Sequence, residues 1–168
     1  MSANLVDATI RNLVATGTLA LPAGSLTNSH IAAGADIATS KLVHRHVLSY
    51  HQASGAAMAD ATVPIFIGRY TTGLLVAVEA AILVAAVGDS TVTVDLQKST
   101  GGGAFATVLT AVIDIDSTTV VRTVLAGTLD STSFTDGDIY QLVVDATAGT
   151  GTLPQGLIVT VTIDETAA

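Results

Sequence analysis

Two different rhythms of apolar and polar positions divide this chain. From residue 61 onward, short β-prone runs are separated by turn residues, the pattern of an all-β domain. Residues 63–70 form the first run, with Pro64 near its start, where an edge or first strand position tolerates it; Gly73 breaks it. Residues 74–87 are apolar apart from Glu79. Val76, Val78, Ile82 and Val84 favour a long or bent strand there over a buried helix. Residues 91–98 alternate, with Val92, Val94 and Leu96 inward and Thr93, Asp95 and Gln97 outward. After a flexible hairpin loop at Gly101, Gly102 and Gly103 come runs at 105–116 (Ala111, Ile113 and Ile115 on one face) and 118–125. Asp136 and Gly137 make a turn before 139–145, where Tyr140, Leu142 and Val144 point inward. A loop over 149–156 leads to 157–165, with Val159, Val161 and Ile163 inward. Seven or eight strands in this span predict a jelly-roll-like β-sandwich.

The first third follows neither period. Leu5, Val6, Ile10, Leu13 and Val14 suit about two amphipathic helical turns, capped by Ser2 or Asn4 and ended by Gly17. In 25–42 the large apolar residues Leu26, Ile31, Ile37 and Leu42 stand five, six and five positions apart among Ala, Gly, Ser, Thr and Asn. That spacing matches neither a helix nor a strand. Such anchors can be buried only against something outside the segment: sister chains or another protein. Residues 42–52 contain a possible short strand, and 53–60 need no core. The expected organisation is an extended N-terminal docking arm over 1–52, a linker over 53–60 and the sandwich over 61–168.

Composition sharpens this picture. Charged residues are 12% and hydrophobic ones 49%, with a mean hydropathy of +0.63, so a large self-association or docking surface is expected. The net charge of −8 is uneven. Residues 1–52 carry a net +1, whereas 53–168 set Arg69, Lys98 and Arg122 against twelve acids, a net −9. An acidic body disfavours nucleic acid, whose phosphates require Lys and Arg. Residues 74–87 are too short to span a membrane as a helix, and the start MSANLVD lacks the basic region of a secretory signal. No nucleic-acid or membrane partner is expected.

Chemistry-bearing motifs are sparse. There is no cysteine, no Gly-x-Ser-x-Gly elbow and no phosphate-cradling loop, and the sandwich region contains no histidine, so no enzyme activity is expected. Asp114 with Asp116 and Asp136 with Asp138 lack EF-hand spacing and read as strand edges and turns. His44 and His46 share a face at strand spacing, and a threefold axis would gather six imidazoles. A metal site would also have to lie on that axis, and partly exposed interface histidines account for the pair without one, so no metal and no cofactor is expected.

The stretch LTNSHIAAGADIATSKL (26–42) resembles the (I/L)-T-N-x-x-I-A-x-G-A-x-I-A-x-S-K-L segments of trimeric structural proteins of tailed bacteriophages: capsid decoration proteins, head fibres and tail fibres. The run GDIYQLVVDATAGTGTLPQGLIVTVTIDE (137–165) is similar to the end of jelly-roll domains in phage virion proteins, and VTVDLQK (92–98) fits the same pattern. The resemblance implies a homotrimeric capsid decoration (cement) protein on the capsid exterior. It would bind the major capsid protein through Leu5, Ile10, Leu13, Leu26, Ile31, Ile37 and Leu42. A head or tail fibre with a receptor-binding sandwich is the alternative within that class. A carbohydrate-binding module is the alternative outside it, although the chain has no Trp and only Tyr50, Tyr70 and Tyr140 as tyrosines.

Overall fold

A computed structural model describes residues 43–69 and 71–167. The arm anchors Leu5, Ile10, Leu13, Leu26, Ile31, Ile37 and Leu42, and Tyr70, lie outside the described residues. Among the described residues the secondary structure is all β. Its strands are β1 (Val43–His51), β2 (Ala61–Ile67), β3 (Thr71–Ala81), β4 (Thr91–Ser99), β5 (Ala106–Thr107), β6 (Ile113–Ile115), β7 (Leu125–Ala126), β8 (Ser133–Phe134), β9 (Ile139–Thr147) and β10 (Ile158–Ala167).

Pairing is antiparallel throughout. One sheet has the order β1-β10-β3-β7, with β8 also on β3; the other has β2-β9-β4-β5, with β6 also on β4. The pairs are nested: β1 with β10, β2 with β9, β3 with β7 and β8, β4 with β5 and β6. A long antiparallel hairpin rolled over on itself produces this nesting, with successive long strands falling in alternate sheets. The sandwich is therefore a jelly roll. The short pairs β5/β6 and β7/β8 each stand where one longer strand would complete the eight.

The core follows from the alternation. Val92, Val94 and Leu96 of β4, Tyr140, Leu142 and Val144 of β9, and Val159, Val161 and Ile163 of β10 are all buried, as expected from their period of two. Leu75, Val78 and Ala80 of β3 join those of β10 on one sheet and meet those of β4 and β9 on the other, so the apolar run at 74–87 is a strand and then an irregular segment, not a helix. A β-bulge at residue 76 bends β3, since Thr162 pairs with Ala77 but Ile163 with Leu75. Pro64 sits on β2, an outer strand of its sheet, beside a second irregularity between Pro64 and Phe66.

An aromatic cluster joins the sheets at one end. Phe66 of β2 stacks on Tyr140 of β9 (centroids 4.3 Å apart, 9° between planes). Phe134 of β8 meets both edge-on, at 5.5 and 6.3 Å. Gly73 makes room for it: a Cβ at that position would run into the Phe134 ring and the Asp164 carbonyl. Above the cluster, Lys98 Nζ donates to the Ser133 carbonyl (3.1 Å) and lies 3.8 Å from the Asp138 carboxylate, tying β4 to β8 across the sandwich.

Three expectations are corrected. First, the sandwich takes in residues from the expected arm and linker: β1 pairs with β10 over nine residues, and Met58 is buried in the core. Second, 105–116 is not one strand. Val108 and Leu109 are buried in succession, which strict alternation forbids, and the chain leaves β4 to bridge Leu109 to Leu129 before returning as β6. Ile113 and Ile115 face inward as expected, but Ala111 is exposed on the detour. Third, 118–125 is mostly irregular. Arg122 adopts φ 60°, its N–H donating to the Ile82 carbonyl (2.8 Å), and no extended strand continues through that left-handed residue.

Candidate functional site

The described chain starts with β1, an outer strand of its sheet. Leu48 and Tyr50 face the core; Arg45, Val47 and Ser49 face out. His44 and His46 share the core-side face but lie past the end of the core and are exposed, their rings stacked at 6.5 Å. His46 Nε2 is 3.3 Å from Glu165 Oε2, and Glu165 stands opposite His44 in the register. Among the described residues no three His, Asp or Glu side chains are placed to hold a metal ion. His44, His46 and His51 all belong to β1.

The expected carboxylate pairs are engaged separately. Asp116 Oδ1 accepts from the Thr118 N–H (2.8 Å) and hydroxyl (2.7 Å), which hold its carboxyl below the usual range. Asp114 lies across from Thr93 on β4 and is exposed. Asp138 is buried, and burial pushes its carboxyl up. The Thr100 side chain, the Thr135 N–H and hydroxyl and the Lys98 charge outweigh that and leave it below the usual range. Asp136 belongs to the turn beside Gly137 (φ 87°). Neither pair converges on a common ligand position.

The two outer sheet faces differ in chemistry. On the β2-β9-β4 sheet a polar chain crosses the strands. Gln141 Nε2 donates to Gln97 Oε1 (2.9 Å), Gln97 Nε2 to Asp95 Oδ2 (2.9 Å), and Thr107 Oγ1 to Asp95 Oδ1 (2.5 Å). These bonds explain why Asp95, outward as expected, is nevertheless buried.

On the β1-β10-β3 sheet the outer rows run Arg45–Asp164–Leu74, Val47–Thr162–Ala77, Ser49–Thr160–Glu79 and, last, His51–Ile158–Ala81, with His51 exposed. Val47 is 61% exposed and Leu74 52%; Val76 at the bulge and Val124 beside β7 extend the apolar area. Glu79, Ala81, Val124, Ile158 and Thr160 line a shallow depression in it. The charges of the first row cancel: Arg45 Nε and Nη2 donate to the two Asp164 oxygens at 2.7 and 2.8 Å.

Sequence reading passed over this face. The signal was there: a run apolar at nearly every position, as at 74–84, offers large side chains to both sides of a sheet. One side fills the core and the other meets whatever lies outside. Compared with known protein families, with curated proteins and with solved structures, the chain matches none.

Proposed function

We propose that this chain is a virion structural protein of the capsid decoration type. In this reading a homotrimer binds the major capsid protein lattice on the capsid exterior, through the arm that precedes β1. The observation that carries the reading is the 26–42 segment, whose anchors Leu26, Ile31, Ile37 and Leu42 are set among residues too small to bury them. Its resemblance to segments of trimeric phage structural proteins supports the same conclusion. A jelly-roll body entered through an outer strand suits a module fastened by its leading segment.

The mechanism is thermodynamic. Each arm contributes modest apolar contacts. Three arms on one trimer make later contacts effectively intramolecular, so avidity can exceed the affinity of any single arm by ~10²–10⁴. A trimer bridging several capsid subunits then opposes their separation.

The test is cosedimentation of the full chain with capsids stripped of decoration. Replacing Leu26, Ile31 and Ile37 with Ser should abolish occupancy while the β-sheet circular dichroism stays unchanged. Undiminished occupancy would refute the arm as the docking element.

A further inference from the structure

We infer that a second copy of this chain covers the outer face of the β1-β10-β3 sheet, centred on Val47, Leu74 and Val76. This deepens the self-association part of the proposed function and rests on it.

Three observations point to a copy as the occupant. The first is charge. A sandwich of net −8, counted over 43–167, repels its own kind, but the Arg45–Asp164 pair cancels internally on this face, and its central row, Val47–Thr162–Ala77, carries no charge. Glu79 sits one row away, half-buried with the Thr160 hydroxyl 3.4 Å from its carboxylate. A basic partner would find little to bind here, whereas an equally acidic copy meets less repulsion through this face than through a charged one.

The second is the edge. Long outer strands invite pairing unless proline, lysine or a bulge blunts them. On the other sheet, β2 has Pro64 and an irregularity beside it. By contrast β1 is nine residues of regular register without proline or lysine, and it borders the apolar face. A protein partner lying on the face can also shield this edge.

The third is area. Strands ~4.8 Å apart and ~30 Å long give the face a footprint on the order of 500 Å². Two copies would then bury about 1,000 Å² in total, the lower bound for a specific interface. On the outer face of the β2-β9-β4 sheet the central side chains Gln141, Gln97 and Asp95 satisfy one another, and the large exposed apolar residue Ile67 stands at one end.

Sedimentation of the full chain tests the inference. With Val47→Glu and Leu74→Glu together, the mass should fall to the 16.8 kDa of one chain, with circular dichroism and cooperative melting retained. The milder pair Val47→Thr and Leu74→Thr keeps β-forming side chains and should raise the dissociation constant on the order of tenfold. Thr62→Glu with Thr93→Glu, on the opposite outer face, should leave the mass unchanged. An oligomer that survives Val47→Glu with Leu74→Glu overturns the inference, as does equal loss in the opposite-face control. Should Ile31→Ser with Ile37→Ser dissociate the oligomer instead, the face is not the interface. The decoration reading would still stand on capsid cosedimentation.

Discussion

Arg45 and Asp164 face each other across β1 and β10, and the guanidinium reaches both carboxylate oxygens at 2.7 and 2.8 Å. The pair fastens the strand that opens the sandwich to the one that closes it. The hydrogen bond from Arg45 is the main reason that the Asp164 carboxyl lies below its usual range, with the Arg45 charge adding to it against partial desolvation. Arg45 is 62% exposed, so water and salt weaken the pair.

A pH dependence follows. Asp164, Asp89 and Asp116 are all held below the ordinary carboxyl range, Asp89 by the hydroxyl and N–H of Thr150, and Asp138 is shifted the same way. A depressed carboxyl binds fewer protons folded than unfolded. Its stabilisation is complete above the unfolded value of about 4 and is lost as pH falls through the folded value. The melting temperature should be level between about pH 5 and 7 and should fall below about pH 4. In Asp164→Asn the acid limb should be shallower. A melting temperature that rises on acidification would contradict this assignment.

The aromatic cluster should dominate the stability of its end of the sandwich. Phe134 is fully buried on the two-residue strand β8, with few hydrogen bonds to hold it apart from its ring contacts. Phe134→Ala should cost about 3–5 kcal/mol in denaturant unfolding. Phe105→Ala, at a 40% exposed ring, should cost less than about 1 kcal/mol. Equal losses at the two sites would show that the cluster is not what closes that end.

Tyr140 behaves differently from its neighbours. Its ring is buried in the stack, yet its hydroxyl finds no hydrogen-bond partner among the described residues. Burial, then the nearby Asp138 charge, push the phenol well above its usual range, so it stays neutral throughout ordinary pH. Removing an unsatisfied buried hydroxyl recovers its desolvation cost, so Tyr140→Phe should be neutral or stabilising by up to about 1 kcal/mol. A loss above about 1 kcal/mol would reveal a partner for that oxygen.

The long strands were legible because period-two alternation and flanking turns agree at β4, β9 and β10. Pro64 likewise marked an outer strand correctly. Residues 105–135 were not, because two- and three-residue strands are set by which long strand they lie against, not by their own pattern. Phe134 is a lone aromatic among Ser and Thr, and Met58 stands among Ala and Gly. Neither has a periodic neighbour to announce a core position, and both are fixed by tertiary contacts. The arm anchors remain a reading of the sequence, since they fall outside the described residues. The apolar outer face could have been suspected from the run at 74–84, apolar except at Glu79, but its partner strands β1 and β10 emerge only from the register.

The mass of the unmodified full chain in dilute solution is the most direct check on an account in which both the arm and one sheet face require a partner. Sedimentation equilibrium should return three times the 16.8 kDa of a single chain. A stable, well-behaved species at 16.8 kDa across the micromolar range would contradict it.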